Sequence, residues 1–170
     1  MTTPSTDRHI RESLLNELEA LLVTLGWSAV NTRKYRAVEL LREPVSPTTQ
    51  ITPTKIALLM GDMDDDEAEI GSTATIDRHH CTIDIFGETE AIGVDLSSQI
   101  RDWLRGRLPS IGRTSPTLTV YDHSTVTPTE LFTCTIEGVA RDRASGWSQP
   151  WLQFWWAVNF TIEHENLEVG

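Results

Sequence analysis

At 170 residues, with 39% hydrophobic and 23% charged side chains, the sequence has the size of one domain with its own core and is too short for two comfortable ones. Its 25 acids against 14 bases give a formal net charge of −11, which argues against a surface that coats nucleic acid, because phosphate binding needs clustered Lys and Arg; such a chain can still line a passage that DNA crosses without sticking. No apolar run reaches the roughly 20 residues that span a bilayer, residues 1–7 lack the apolar stretch of a secretory leader, and Cys81 and Cys134 have no metal-type spacing and read as reduced core thiols in a cytosolically made protein.

Ile10, Leu14, Leu18, Leu21, Leu22 and Leu25 recur at helical spacing and predict a helix over residues 7–25. Ser5 or Thr6 caps it and Gly26 stops it, and residues 1–6 are expected to form a disordered arm. From Trp27 to Thr54 the pattern fits either a short helix or a strand. Arg33, Lys34, Arg36 and Arg42 are basic there, with Tyr35, Val38, Leu40 and Leu41 between them. Pro44, Pro47 and Pro53 make residues 42–54 a proline-rich connector. Residues 55–60 predict a buried strand. Residues 61–69 predict an acidic, solvated loop, because Asp62, Asp64, Asp65, Asp66, Glu67 and Glu69 carry like charge with no base between them. Ala74 and Ile76 then alternate on one parity, and Cys81, Ile83 and Ile85 on the other. The slip at Asp77, Arg78 and His79 predicts a turn or a bulge.

A second helix is predicted over residues 89–108, with Ile92, Leu96, Ile100, Trp103 and Leu104 as its apolar stripe and Pro109 as its stop. Arg101 and Arg105 share one face of it. Leu118 and Val120 mark a short strand. Phe132, Cys134, Ile136 and Ala140 share one parity, against Thr133, Thr135, Glu137 and Arg141 on the other. After a loop over residues 142–150, Leu152, Phe154, Trp156, Val158, Phe160 and Ile162 alternate with a wetter face. The two runs read as a long antiparallel hairpin with one buried face. The order of elements predicts an α+β fold, a mixed and mainly antiparallel sheet with both helices on one face.

Several short motifs invite a chemical reading. His79, His80 and Cys81 suggest a metal, but adjacent strand residues point to opposite faces, so a turn with exposed imidazoles is the simpler reading. Asp62, Asp64 and Asp66 open like a calcium loop, yet Glu67 stands where the tight-turn Gly is needed and Thr73 where the bidentate Glu is needed. Asp122, His123 and Ser124 hold the residue types of a hydrolase triad, but sequence neighbours do not converge as triad members do. No nucleophile-elbow, Walker or dinucleotide motif is present. No catalytic residue, cofactor or metal is therefore expected. Of the 6 tryptophans, Trp103 and Trp156 fit the core, whereas Trp155 and Trp151 fall on the wetter parity and Trp147 in the loop. Trp147, Trp151, Trp155, Arg141 and Arg143 are candidates for partner contact, weighed against cover from within the monomer.

The order of these features resembles the tail terminator (tail-completion) proteins of long-tailed phages. A strand over residues 80–86 runs directly into an amphipathic helix carrying Ile100, Arg101, Asp102, Trp103 and Leu104; a short strand and the hairpin ending in residues 151–162 follow, and the leading helix also fits. The likeness covers most of the chain but is one of element order, and the acidic segment and proline-rich connector have no counterpart. It implies a homo-oligomeric ring, usually hexameric, at the tail–neck junction of a virion assembled in the host cytoplasm. Its partners would be the tail tube protein and a head-connector or stopper protein, with DNA only passing through the lumen and no membrane. The family has no catalytic residues to carry over. Within that reading the acids Asp62 to Glu69 line the lumen or meet a basic surface, such as Arg101 and Arg105 of a neighbour. Rival readings are another neck or head–tail connector protein of related fold, a small acidic binding or inhibitor protein, and an enzyme with an unrecognised site.

Overall fold

Ser5 turns its side-chain oxygen to the Arg8 N–H and starts helix α1 (Thr6–Thr24), which carries Asp7 in its first turn. Ile10, Leu14, Leu15, Leu18, Leu21 and Leu22 are buried along it. Its C-terminal end is closed by two backbone bonds, Trp27 N–H to the Leu22 carbonyl (2.7 Å) and Gly26 N–H to the Val23 carbonyl (3.1 Å). Trp27 is thereby folded back into the core. The computed structural model describes residues 5–27, 38–41, 54–67, 74–144 and 154–167. The connector over 42–53, the basic residues Arg33, Lys34, Arg36 and Arg42, and residues 1–4 lie outside them.

The remaining elements are β1 (Val38–Leu41), β2 (Thr54–Glu67), β3 (Ala74–Phe86), α2 (Glu90–Leu104), a 3-10 turn (Pro109–Ile111), β4 (Thr117–Asp122), β5 (Thr129–Arg143) and β6 (Trp155–Leu167). They build one six-stranded sheet in the order β1-β2-β3-β6-β5-β4. Among the described residues, only the β1–β2 pair is parallel. The fold is α+β, as the element order predicted. Ile56, Leu58, Cys81, Ile83, Ile85, Val158, Phe160, Ile162, Cys134, Ile136, Leu118 and Val120 belong to the same buried cluster as the apolar stripes of α1 and α2. Register places these strand residues on one side of the sheet, so both helices pack on that side.

Four expectations need correction. First, residues 61–67 are not a loop. They continue β2, with Met63 opposite His79, Asp64 opposite Arg78 and Glu67 opposite Thr75. Side-chain charge reports on solvation and does not prevent the backbone from finding ladder partners. Residues 68–73, Glu69 included, lie outside the described residues.

Second, β3 contains no turn. It pairs with β6 in unbroken register from Ala74↔Leu167 to Phe86↔Trp155, and the bulge sits on its partner β2 between Met60 and Met63. The apparent slip arises because Asp77 and His79 occupy inward positions. Third, α2 ends at Leu104. Gly106 takes φ +67 and closes the helix by the same pair of bonds as in α1, Arg107 N–H reaching the Asp102 carbonyl at 2.8 Å. Pro109 opens the 3-10 turn instead of stopping the helix. Fourth, Gly138, at φ +60, lies in a bulge between Glu137 and Ala140. The extra residue inverts the parity of the rest of β5. Ala140 therefore turns out, and Val139 turns in against the core.

Candidate functional site

The inverted end of β5 decides the role of two predicted contact residues. Arg141 donates to the Val94 carbonyl (3.2 Å) and to the hydroxyls of Ser97 and Ser98 on α2, and its guanidinium lies over Trp156 at 4.6 Å. Arg143 pairs with Glu90 at 2.8 Å. Both arginines join the hairpin to α2 within the subunit. Trp155 stacks on Phe86 with ring centroids 5.5 Å apart and donates to Asp84 at 2.9 Å. Burial raises the Asp84 carboxyl above its usual value, and the Trp155 hydrogen bond opposes the shift. Trp147 and Trp151 lie outside the described residues. Arg101 pairs with its neighbour Asp102 at 2.9 Å, and Arg105 donates to the Val139 carbonyl at 2.7 Å, so both are partly engaged at home.

Arg105 nevertheless lines one wall of an open groove of about 470 Å³, together with Arg107, Pro116, Ile136, Glu137, Gly138 and Val139. Arg107 is exposed. The groove's wall includes the bulge at Gly138. Its chemistry suits a carboxylate-bearing segment, with Glu137 as a counterweight.

The side of the sheet away from the helices is largely polar where it can be followed. Arg78 pairs with Glu163 (3.0 Å), Thr82 donates to Asn159 (2.7 Å) and Thr161 meets His80 (3.3 Å), each across the β3–β6 pair. Thr133 and Thr135 continue that side on β5, and Leu131 and Leu59 are exposed large apolar residues.

His79 and His80 were read as exposed, and four of the 5 histidines lie in two close pairs, His9 with His123 and His79 with His164. His79 is 2% exposed and faces His164 across the β3–β6 pair, with Nε2 atoms 3.1 Å apart. The reading of His79 as a turn residue is therefore overturned; only His80 points out. Asp77 is buried 4.0 Å from His164 Nε2, and Asp7 of α1 lies 3.8 Å from His79 Nδ1. Burial is the main reason the His79 imidazole sits below its usual proton affinity. Asp7 and Asp77 pull it up, and His164 and His80 push it down.

In the second pair, His9 Nδ1 accepts from the His123 N–H (3.1 Å), and His9 Nε2 lies 3.7 Å from Asp122. Ser13 accepts from the Tyr121 N–H (3.0 Å) and bonds His123 Nε2 (3.1 Å). The sequence had suggested Ser124 beside His123; the hydroxyl actually brought to that imidazole is Ser13. A Ser–His contact is the first requirement of nucleophilic catalysis. Here, however, Ser13 is 2% exposed, and the carboxylate of Asp122 faces His9 instead of orienting His123. The group ties α1 to the end of β4. Parity could have revealed both pairs: His79 and His164 are two residues from the inward Cys81 and Ile162, and His9 and Ser13 adjoin the buried Ile10 and Leu14.

Among the described residues, no group of three His, Cys, Asp or Glu is arranged to hold a metal ion, and no helix is long and apolar enough to cross a membrane. Cys81 and Cys134 are buried free thiols, each pushed up to about 12 by desolvation. No family model matches the sequence, and no match emerges from the curated proteins.

Proposed function

We propose that the chain is a structural, non-enzymatic ring subunit of a phage virion, which caps the tail tube, ends its polymerisation and joins the tail to the head connector. The observation that carries the reading is element order. A leading amphipathic helix precedes the strands, β3 runs into α2 across only residues 87–89, and the long β5–β6 hairpin completes the sheet beside β3. That order resembles tail terminators along most of the chain. Because related folds serve several neck functions, surface chemistry has to bear some of the weight. A head-to-tail ring needs two unlike, complementary patches on each subunit. The acidic run from Asp62 to Glu69 and the groove at Arg105 and Arg107 are of opposite sign and suit such a pair.

Purified protein mixed with tail tubes should place a closed ring on the tube end in negative-stain micrographs, of about six subunits if the resemblance to tail terminators holds. A protein that stays monomeric and never binds tube ends overturns the reading, and binding to the head connector alone transfers it to the neck proteins. Trp147→Ala should leave the fold intact and weaken assembly, since a buried interface aromatic contributes about 2 kcal/mol or more. The acid run separates two placements. Changing its Asp to Asn and Glu to Gln should leave assembly unchanged at any salt if the run borders the DNA passage, which is the placement we favour. Poor assembly of that variant, with a wild-type ring that weakens as salt rises, would put the run in a subunit contact.

A further inference from the structure

Along one side of the sheet the outermost strand changes. Where β4 is outermost, side chains of α1 occupy its backbone donors: Ser13 takes the Tyr121 N–H at 3.0 Å, and His9 takes the His123 N–H at 3.1 Å. β4 begins at Thr117, opposite Thr135, and Pro116 just before it gives its carbonyl to the Ile136 N–H at 2.7 Å. β5 runs on to Arg143, so from Glu137 onward β5 is itself the edge among the described residues. We propose that this stretch of β5 is a strand-addition site for the extended carboxyl-terminal tail of a partner protein, laid antiparallel to β5 with its terminal carboxylate at Arg105 and Arg107.

The bulge at Gly138 sets which backbone groups the edge presents. Before it, Glu137 pairs with Thr161. After it, Ala140 and Asp142 pair with Asn159 and Ala157, and the Ala144 N–H reaches the Trp155 carbonyl at 3.0 Å. Antiparallel strands bond through alternate residues. Ala140, Asp142 and Ala144 therefore direct their backbone groups to β6, and Val139, Arg141 and Arg143 turn theirs to the open side. Arg105 takes the Val139 carbonyl there at 2.7 Å. Among the described residues, no partner meets the backbone N–H or carbonyl of Arg141 or Arg143 on that side. Ala140, Asp142 and Arg143 are exposed. α2 packs against β3, β6 and β5, and so lies over the face of the sheet and not beyond its edge. The side chains of Arg141 and Arg143 are drawn onto α2, so what the edge offers a neighbour is main chain.

An unpaired edge accepts an extended segment through main-chain bonds, and the groups at its rim select which segment. A segment antiparallel to β5 runs in the direction of β4 and comes end-on to Pro116 and Thr117, which already hold the next positions in the line. It brings its carboxyl end into the groove lined by Arg105, Arg107, Pro116, Glu137 and Val139. β4 blocks straight continuation, and a chain terminus needs none. The terminal carboxylate also fits the charge, because two guanidiniums can donate to it. Arg105 is held in place by its bond to Val139, and Arg107 is exposed. Glu137 is a single carboxylate against these two cations, so the groove stays net positive. A parallel segment would bring its amino end, a cation, to the same two arginines. The site needs no ring of subunits, and with the acidic run placed along the DNA passage the groove is open to another occupant.

Fluorescence anisotropy with the full chain tests this, using a short labelled peptide of alternating Thr and Val with a free carboxyl end. The free acid should bind about tenfold more tightly than the same peptide with an amidated end, which is the scale of one charge-assisted bond. Arg107→Ala should remove that preference and leave binding of the amide unchanged; the residue is exposed, so the fold is retained. Methylating alternate peptide nitrogens should abolish binding in one phase and spare it in the other, because only one phase faces β5. Backbone exchange at Arg141 and Arg143 should slow in proportion to occupancy, with no such change on β2. Failure of the free acid to bind at millimolar concentration, equal binding of acid and amide, indifference to the phase of methylation, or protection at another edge overturns the proposal. So does tighter binding of an end-blocked peptide copying residues 58–67, which would give the groove to a second copy of the chain. None of these results involves tail tubes, so the ring reading stands or falls separately.

Discussion

Gly106 and Gly138 have nearly the same backbone conformation, φ +67 and φ +60, but different surroundings, and that contrast gives a sharp mutational test. A Cβ at Gly106 would stand 2.3 Å from the Ser115 carbonyl carbon and 2.6 Å from Pro116 N, both backbone atoms, whereas one at Gly138 meets nothing within 4 Å. Alanine at either position incurs the left-handed cost of roughly 1–2 kcal/mol and recovers about 0.4–1 kcal/mol from a less flexible unfolded chain. These shared contributions cancel in the comparison. Gly106→Ala must in addition displace the 115–116 backbone, and overpacking of this kind costs about 1–3 kcal/mol. The Pro116 carbonyl accepts the Ile136 N–H at 2.7 Å, so the displacement carries into β5. Urea unfolding followed by tryptophan fluorescence should therefore show Gly106→Ala less stable than Gly138→Ala by about 1–3 kcal/mol at unchanged slope. Equal stabilities within error would refute the argument that the end of α2 is set by close approach.

Asp84→Asn should stabilise the protein at neutral pH. The folded carboxyl is raised by burial, so its charged form carries a penalty that appears as pH rises through the folded value and is absent below the usual value of 3.8; a gain at pH 7 that disappears in acid, read by thermal unfolding, is the expected result. Cys81 and Cys134, buried with thiols pushed up to about 12, should resist a thiol reagent at pH 8 in the native state and both react in urea, as counted by absorbance.

The helices and the C-terminal hairpin were legible in the sequence because their apolar periodicity is dense: Ile10 to Leu22 and Val158 to Ile162 mark their faces without ambiguity. Three features were not. Pro109 is a stronger stop signal than Gly106, yet the helix ends where the chain passes Ser115 too closely for a side chain. Gly138 is one residue in an otherwise regular alternation, and the bulge it permits reassigns Arg141 and Arg143 from the outer face to α2 and Trp156. Asp77, His79 and His164 follow the inward parity of their strands. Polarity disguised that parity, because a buried polar group is tolerated only with partners drawn from other elements, and sequence alone does not reveal those partners. Of the candidate contact residues, only Trp155 among the tryptophans can be placed, against Phe86 and Asp84.

The strand order β1-β2-β3-β6-β5-β4 has a consequence for synthesis on the ribosome. β6 is made after the other five strands but occupies the middle of the sheet, between β3 and β5. Until Trp155 to Leu167 emerge, the nascent chain can hold only two separate pieces, β1-β2-β3 and β4-β5, each with a bare edge destined for β6. Bare edges recruit whatever strand is available, including one from another nascent chain. A stop codon placed just before Trp155 would remove little of the length and yet divide the sheet in two. Of the six described strands, the one translated last is the one that joins the others into one sheet.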